Sequence, residues 1–173
     1  MSQSPPTSES AAVPTEEHGR EPQVAARVLR QFRLVFNVVK THFQQIEKQV
    51  GVGGAQVWAL HLIAQRPGIG VHELARSMDV RQPTASNLVK SMVDQQLVQV
   101  RKEGADRRTV QLHLLAPGVE VLRRAPGPFA GVLPQALASL DGATLASLER
   151  NLAGLINVLG ADDRGASIPL SLI

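Results

Sequence analysis

Residues 82–90 read Gln-Pro-Thr-Ala-Ser-Asn-Leu-Val-Lys and hold five hydrogen-bonding side chains. Ala85, Leu88, Val89, Met92 and Val93 recur at helical spacing and mark an inner face. Gln82, Thr84, Ser86, Asn87 and Lys90 then fall on the outer side or the leading end of the same helix. A single helix fits the major groove of duplex DNA, where Asn or Gln can pair with an adenine edge. A second concentration lies just downstream, with Arg101, Lys102, Asp106, Arg107 and Arg108. An arginine there can enter a narrow minor groove, where the negative potential is enhanced. Asp106 opposes DNA by charge alone, but a carboxylate can fix a guanidinium through a bidentate bond. Its expected role is to orient an arginine.

Other chemistries find less support. His72-Glu73 begins a zinc-protease pattern, but Arg76 stands where the second histidine belongs. There is no Gly-x-Ser-x-Gly, phosphate loop or dinucleotide fingerprint, so no enzyme is expected. Cysteine is absent and the five histidines are scattered, so no metal site, thiol switch or cofactor is expected. No apolar run approaches the roughly 18 residues of a membrane span, and the polar N-terminus lacks the order of a secretory signal. The expected location is the cytoplasm, without a membrane partner.

The elements that must position these residues follow from periodicity. Val24, Val28, Phe32, Val35, Val39, Phe43, Ile46 and Val50 draw one stripe along a long helix, which Gly51, Gly53 and Gly54 end. Residues 55–66 are apolar on nearly every side and predict a short central helix. Val71, Leu74, Ala75 and Met78 predict a third helix, and Pro83 opens the fourth, where a first turn tolerates proline. The period then changes to two. Leu97 to Arg101 and Thr109 to Leu115 predict strands joined by a charged tip, with Gly104 available for a turn. Helical pattern resumes at Pro117, breaks at residues 125–128, and ends in a stripe from Leu145 to Leu159 closed by Gly160.

The fold class expected from this order is mainly α with a small β-hairpin wing (α+β), a winged helix-turn-helix. Its parts are a flexible tail at 1–22, a dimerisation helix at 23–50, the winged domain at 53–116, C-terminal dimerisation helices at 117–160, and a polar tail at 161–173. The 173 residues carry a net charge of only +3, which alone says little. Its distribution says more, because residues 23–65 and 66–124 each carry +4 between two acidic ends.

The run HELARSMDVRQPTASNLVKSMVDQQLV, followed by ADRRTVQLHLLAPG, resembles the MarR-type (multiple antibiotic resistance regulator) transcription factors. The similarity runs from about Gly53 to Leu159 and includes GAQVWAL and PGPFAGVLPQAL. It implies a homodimer with interlocked terminal helices, a reading helix over Gln82 to Lys90, and a wing motif at Asp106, Arg107 and Arg108. The expected partner is double-stranded DNA at an inverted-repeat operator, and the expected role is repression. The resemblance also implies release by a small aromatic or phenolic effector held between dimer helices and DNA-binding lobe. Phe32, Phe36, His42, Trp58 and His61 lie on helices that could line such a pocket. The chain departs from the family in several places. Arg81 replaces the usual capping serine, Gln96 the usual glycine before the first wing strand, and Val100 a usual arginine. Ala116 stands where a threonine would cap the next helix. The rival reading is a winged-helix module that docks protein without specific DNA binding, which has no need of Arg107 and Arg108 together.

Overall fold

The computed structural model describes residues 20–102, 110–162, 166 and 168–172. Its elements are α1 (Arg20–Val50), α2 (Gly54–Gln65), α3 (Val71–Ser77), α4 (Gln82–Asp94), β1 (Val98–Lys102), β2 (Val110–Leu114), α5 (Ala116–Arg124), α6 (Val132–Ala138) and α7 (Gly142–Leu159). A 3-10 turn follows at Leu170–Leu172. Among the described residues, those up to Phe36 and those from Asn37 onward form two separate units. The first unit contributes the opening turns of α1, where the rings of Phe32 and Phe36 stack with centroids 6.5 Å apart. Val24, Val28, Leu29, Leu34 and Val35 are exposed along these turns. The helix begins at Arg20, three residues into the stretch expected to be tail.

In the second unit the core forms around α2. Val57, Ala59, Leu60 and Ile63 are buried there, and Trp58 and Leu62 pack partly buried against the same core. A helix apolar on all sides needs cover on all sides, and α3, α4, α5 and β2 all pack against α2. The C-terminal turns of α1 join this core through Val39 and Ile46, so the single stripe read from the sequence splits into an exposed half and a buried half. Gln49 and Arg124 clamp the ends of α1 and α5. The Gln49 Nε2–H donates to the Arg124 carbonyl at 2.7 Å, and the Arg124 Nη2–H donates to the Gln49 carbonyl at 2.9 Å.

The hairpin is antiparallel, pairing Val98 with Leu114, Val100 with Leu112 and Lys102 with Val110. Its other edge is partly closed by the α2–α3 loop. The Gly68 N–H donates to the Leu112 carbonyl at 2.9 Å, and the Leu112 N–H donates to the Ile69 carbonyl at 3.1 Å. Strand β1 starts and ends one residue later than expected and β2 ends one residue earlier, because Leu97 and Leu115 have other work. The Leu97 N–H closes the end of α4 on the Met92 carbonyl, and the Leu115 N–H donates to the Leu97 carbonyl. Gly118 is required by this join, since a Cβ there would lie 2.3 Å from the Leu97 carbonyl oxygen.

At α7, Asp141 caps the first turn by accepting the Thr144 N–H at 2.9 Å and the Thr144 hydroxyl at 2.7 Å. Those two bonds, the hydroxyl first, hold the Asp141 carboxyl below its ordinary range. Gly160, left-handed, ends the helix as expected. No side chain of α7 is fully buried, and Leu155, Ile156, Val158 and Leu159 are exposed. Among the described residues, no helix is long and apolar enough to cross a membrane.

Candidate nucleic-acid interface

Helix α4 separates its residues as an amphipathic helix must. Ala85, Leu88, Val89 and Met92 are buried, while Gln82, Ser86, Asn87 and Lys90 are exposed and Thr84 is half-buried. Val93 departs from the expected inner face, being 36% exposed. Its position follows Met92 by one residue, about 100° around the helix, which carries it past the core edge.

The start of α4 is open. Arg81 occupies the capping position with extended backbone (φ −69°, ψ 147°) and supplies no side-chain bond. The first-turn N–H groups therefore receive no bond from the capping side chain, Arg81 itself is exposed, and Pro83 removes one donor. The start of α5 is likewise uncapped at Leu115. Both follow from the departures seen at Arg81 and Ala116.

A polar relay holds α4 against α2, and the sequence reading missed it. The Gly53 N–H donates to Gln56 Oε1 at 3.1 Å, and Gln56 Nε2 donates to Ser91 Oγ at 3.1 Å. Gln95 Nε2 donates to the same Ser91 Oγ at 3.0 Å. The available signal was the spacing of Gly53 and Gln56, three apart at a helix start. Ser91 follows Thr84 and Asn87 on one edge of α4, and all three line a hollow of about 410 Å³ with Gly53, Ala55, Gln56, Leu88 and Leu172.

Of the wing residues, Arg101 is exposed at the end of β1 beside exposed Val100. Lys102 is placed by its backbone, opposite Val110. Asp106, Arg107 and Arg108 lie outside the described residues.

The expected effector residues fall in both units. Phe32 and Phe36 belong to the N-terminal unit. In the second unit Trp58 lines a cavity of about 500 Å³ with Phe43, Phe129, Met78 and Val80. His42 and His61 stand outside that lining and hold one of its walls. His42 Nε2–H donates to the Pro128 carbonyl at 3.0 Å, and the His61 ring lies 4.6 Å from that of Phe129. Phe43 is fixed by close approach, since a Cβ on Gly54 would fall 2.2 Å from its Cδ1 and one on Gly131 2.9 Å from its Cζ. Asp79 is the one charged residue in the cavity's described lining. Among the described residues, no group of His, Asp or Glu could hold a metal ion.

Three helices, a turn into the reading helix and a two-stranded wing define a winged helix-turn-helix module. Residues 50–109 match the MarR family. An HTH-type transcriptional regulator of Bacillus subtilis, YsmB, is 24% identical over 130 residues, covering 75% of this chain and 89% of that protein. Among solved structures, a MepR-like protein complexed with pseudoligands aligns with a TM-score of 0.51 and 18% identity, covering 84% of this chain and 99% of its own. A complex of S. aureus MepR with DNA aligns with a TM-score of 0.52 and 17% identity, covering 75% and 94%. Over residues 50–109 the chain is thus similar to the MarR family, and its fold is the winged helix-turn-helix of these solved structures.

Proposed function

We propose that this chain binds duplex DNA sequence-specifically, as a homodimeric repressor at an inverted-repeat operator. One observation carries the reading: α4 buries its apolar face completely enough to leave Gln82, Ser86, Asn87 and Lys90 exposed together beside an uncapped, cationic helix start. Amide side chains suit adenine edges, and free N–H groups at a helix N-terminus suit a phosphate. The MepR complex shows that a protein of this fold engages DNA. Arg101, Lys102, Arg107 and Arg108 would add phosphate and minor-groove contacts from the wing, with Asp106 orienting an arginine. A second copy would cover the exposed apolar surfaces of α1 and α7, and its two-fold axis would place two reading helices about 34 Å apart.

A small aromatic effector fits the Phe43–Trp58–Phe129 cavity, whose size is that of a ligand site. No cationic side chain is in its described lining, so a neutral phenol suits it better than the planar carboxylate that His42 and His61 would have favoured. Such a ligand releases the operator only if it binds the DNA-free conformation better.

Selection of duplexes from a random pool tests the reading, with an inverted repeat as the expected product. Absence of enrichment would refute it and favour a protein-docking module. On the selected duplex, Arg107→Ala with Arg108→Ala should lower the slope of log affinity against log salt by about 3.6, four phosphate contacts per dimer at ~0.9 each. Asn87→Ala should narrow the gap between selected and random DNA; equal loss on both would make Asn87 a phosphate contact.

A further inference from the structure

Within the polar tail expected at 161–173, residues 168–172 pack against the rest of the chain. Ile168, Pro169, Leu170 and Ser171 line the aromatic cavity together with Trp58, Phe43 and Phe129. Two residues from Leu170, Leu172 enters the other hollow, beside Thr84, Asn87 and Ser91 of α4 and Gly53 and Gln56 of α2. The 3-10 turn that joins them, closed by the Leu172 N–H on the Pro169 carbonyl at 2.9 Å, packs on α2. One short segment thus touches both the cavity that could take an effector and the edge of the helix that could read DNA.

We propose that residues 168–172 are an autoinhibitory strap that occupies the margin of α4 in the free protein and must lift for α4 to enter the major groove. The inference rests on the DNA-binding reading above. A helix with its side chains is about 10–12 Å across, and the major groove is about 12 Å wide. A leucine wedged beside Asn87 has no room there. The hold is light: Ile168, Leu170 and Leu172 remain 46%, 39% and 50% exposed. Partial burial of three apolar side chains is opposed by the entropy of ordering the segment, so strapped and free states lie close in free energy. Affinity for DNA is then reduced by the fraction of molecules whose strap is lifted.

Removing residues 166–173 should tighten binding to the selected duplex about three- to tenfold, and to random duplex by the same factor, because the strap blocks the helix whatever the sequence. Leu172→Asp should reproduce most of that gain. Its half-exposed position makes it the deciding variant if the deletion does not fold. Trp58 is the only tryptophan and lines the cavity that the strap walls, so it reports the strap without reference to affinity. Its emission should shift to the red on deletion, and in the full chain on titration with the selected duplex. Unchanged or weaker binding by both variants would overturn the strap, as would Trp58 emission that DNA leaves unmoved. If neither the full chain nor the deletion binds any duplex, the DNA-binding reading falls and the strap's purpose with it. A full chain that binds the duplex as tightly as the deletion removes only the strap.

Discussion

Replacing Gln96 by glycine should stabilise the protein, although it removes a side chain from the end of the reading helix. Three helices here stop on the same backbone arrangement. At the end of α3, the Asp79 N–H donates to the Arg76 carbonyl and the Val80 N–H to the Ala75 carbonyl. At the end of α4 the pairs are Gln96 to Val93 and Leu97 to Met92, and at the end of α7 they are Gly160 to Asn157 and Ala161 to Ile156. Each arrangement needs one left-handed residue, with φ of 51° at Asp79, 56° at Gln96 and 60° at Gly160. Glycine adopts that conformation freely, whereas another L-residue incurs about 1–2 kcal/mol. Part of the relief is offset by the greater freedom glycine gives the unfolded chain, about 0.4–1 kcal/mol. The expected net gain for Gln96→Gly is about 0.5–1 kcal/mol, or ~1–4 °C in Tm for a chain of this length. Gln96→Ala separates backbone from side chain: alanine carries the same penalty, so that variant should stay close to the parent. Gly160→Ala should lose about 1 kcal/mol or more. Asp79→Gly should gain less than Gln96→Gly, because aspartate tolerates the left-handed region better. Urea midpoints at one fixed protein concentration would measure all four, since self-association ties stability to concentration. An unchanged or lowered midpoint for Gln96→Gly, with Gly160→Ala destabilised, would refute the reasoning. It would mean that the Gln96 side chain contributes more than its exposed position implies.

Gly118→Ala should destabilise by about 1–2 kcal/mol, because the clash with the Leu97 carbonyl outweighs the better helix propensity of alanine; a rise in the urea midpoint would show that α5 can back away from β1. Asp141→Asn keeps a capping residue but removes its titration. The folded-state carboxyl is held below its ordinary value, so its contribution is present above that value and is lost as pH falls through the folded one. The Tm of the parent should therefore drop more between pH 5 and pH ~2 than that of the variant, and parallel curves would remove Asp141 from the acid transition. Leu159→Glu tests the dimer. Leu159 is 69% exposed in the single chain, and its burial at an interface would contribute about 1.5 kcal/mol. The two-fold axis counts the residue twice, so the dimer constant should weaken more than 100-fold in sedimentation equilibrium. An unaltered constant would place the interface elsewhere.

Periodicity carried the helices because α2, α4 and α7 each satisfy one simple pattern, all-round apolar, one-sided or striped. The exposed face of α4 was legible for the same reason: Ala85, Leu88, Val89 and Met92 fix the inner face, and Gln82, Ser86, Asn87 and Lys90 are what remains. Long-range relations left no such trace. Nothing in the local pattern shows that Gln56 meets Ser91 from another helix, or that His42 is spent on the Pro128 carbonyl rather than on a ligand. The segment at 168–172 misled for a related cause. Its serine, proline and neighbouring charges read as a tail, and its three scattered aliphatic residues gain meaning only because α2 presents apolar surface for them. The division of the long stripe into an exposed and a buried half was equally hidden, since both halves obey the same spacing.

The uncapped start of α4 gains a reason when set beside α7. The same chain caps α7, with Asp141 accepting both the N–H and the hydroxyl of Thr144. It therefore can cap a helix, yet α4 begins at Arg81 with no capping bond from that side chain. Losing a cap costs about 1 kcal/mol. That cost is tolerable where another group completes the turn in the working state, and an anion is the natural candidate because the free N–H groups and Arg81 all favour negative charge. A serine at position 81 would occupy those donors from within the chain; an arginine leaves them free and adds a cation beside them. Arg81→Ser should therefore raise the melting temperature of the free protein while weakening its hold on DNA, a trade that an accidental surface arginine would not show. If Arg81→Ser gains stability and loses no affinity or salt dependence, the open helix start has no part in binding phosphate.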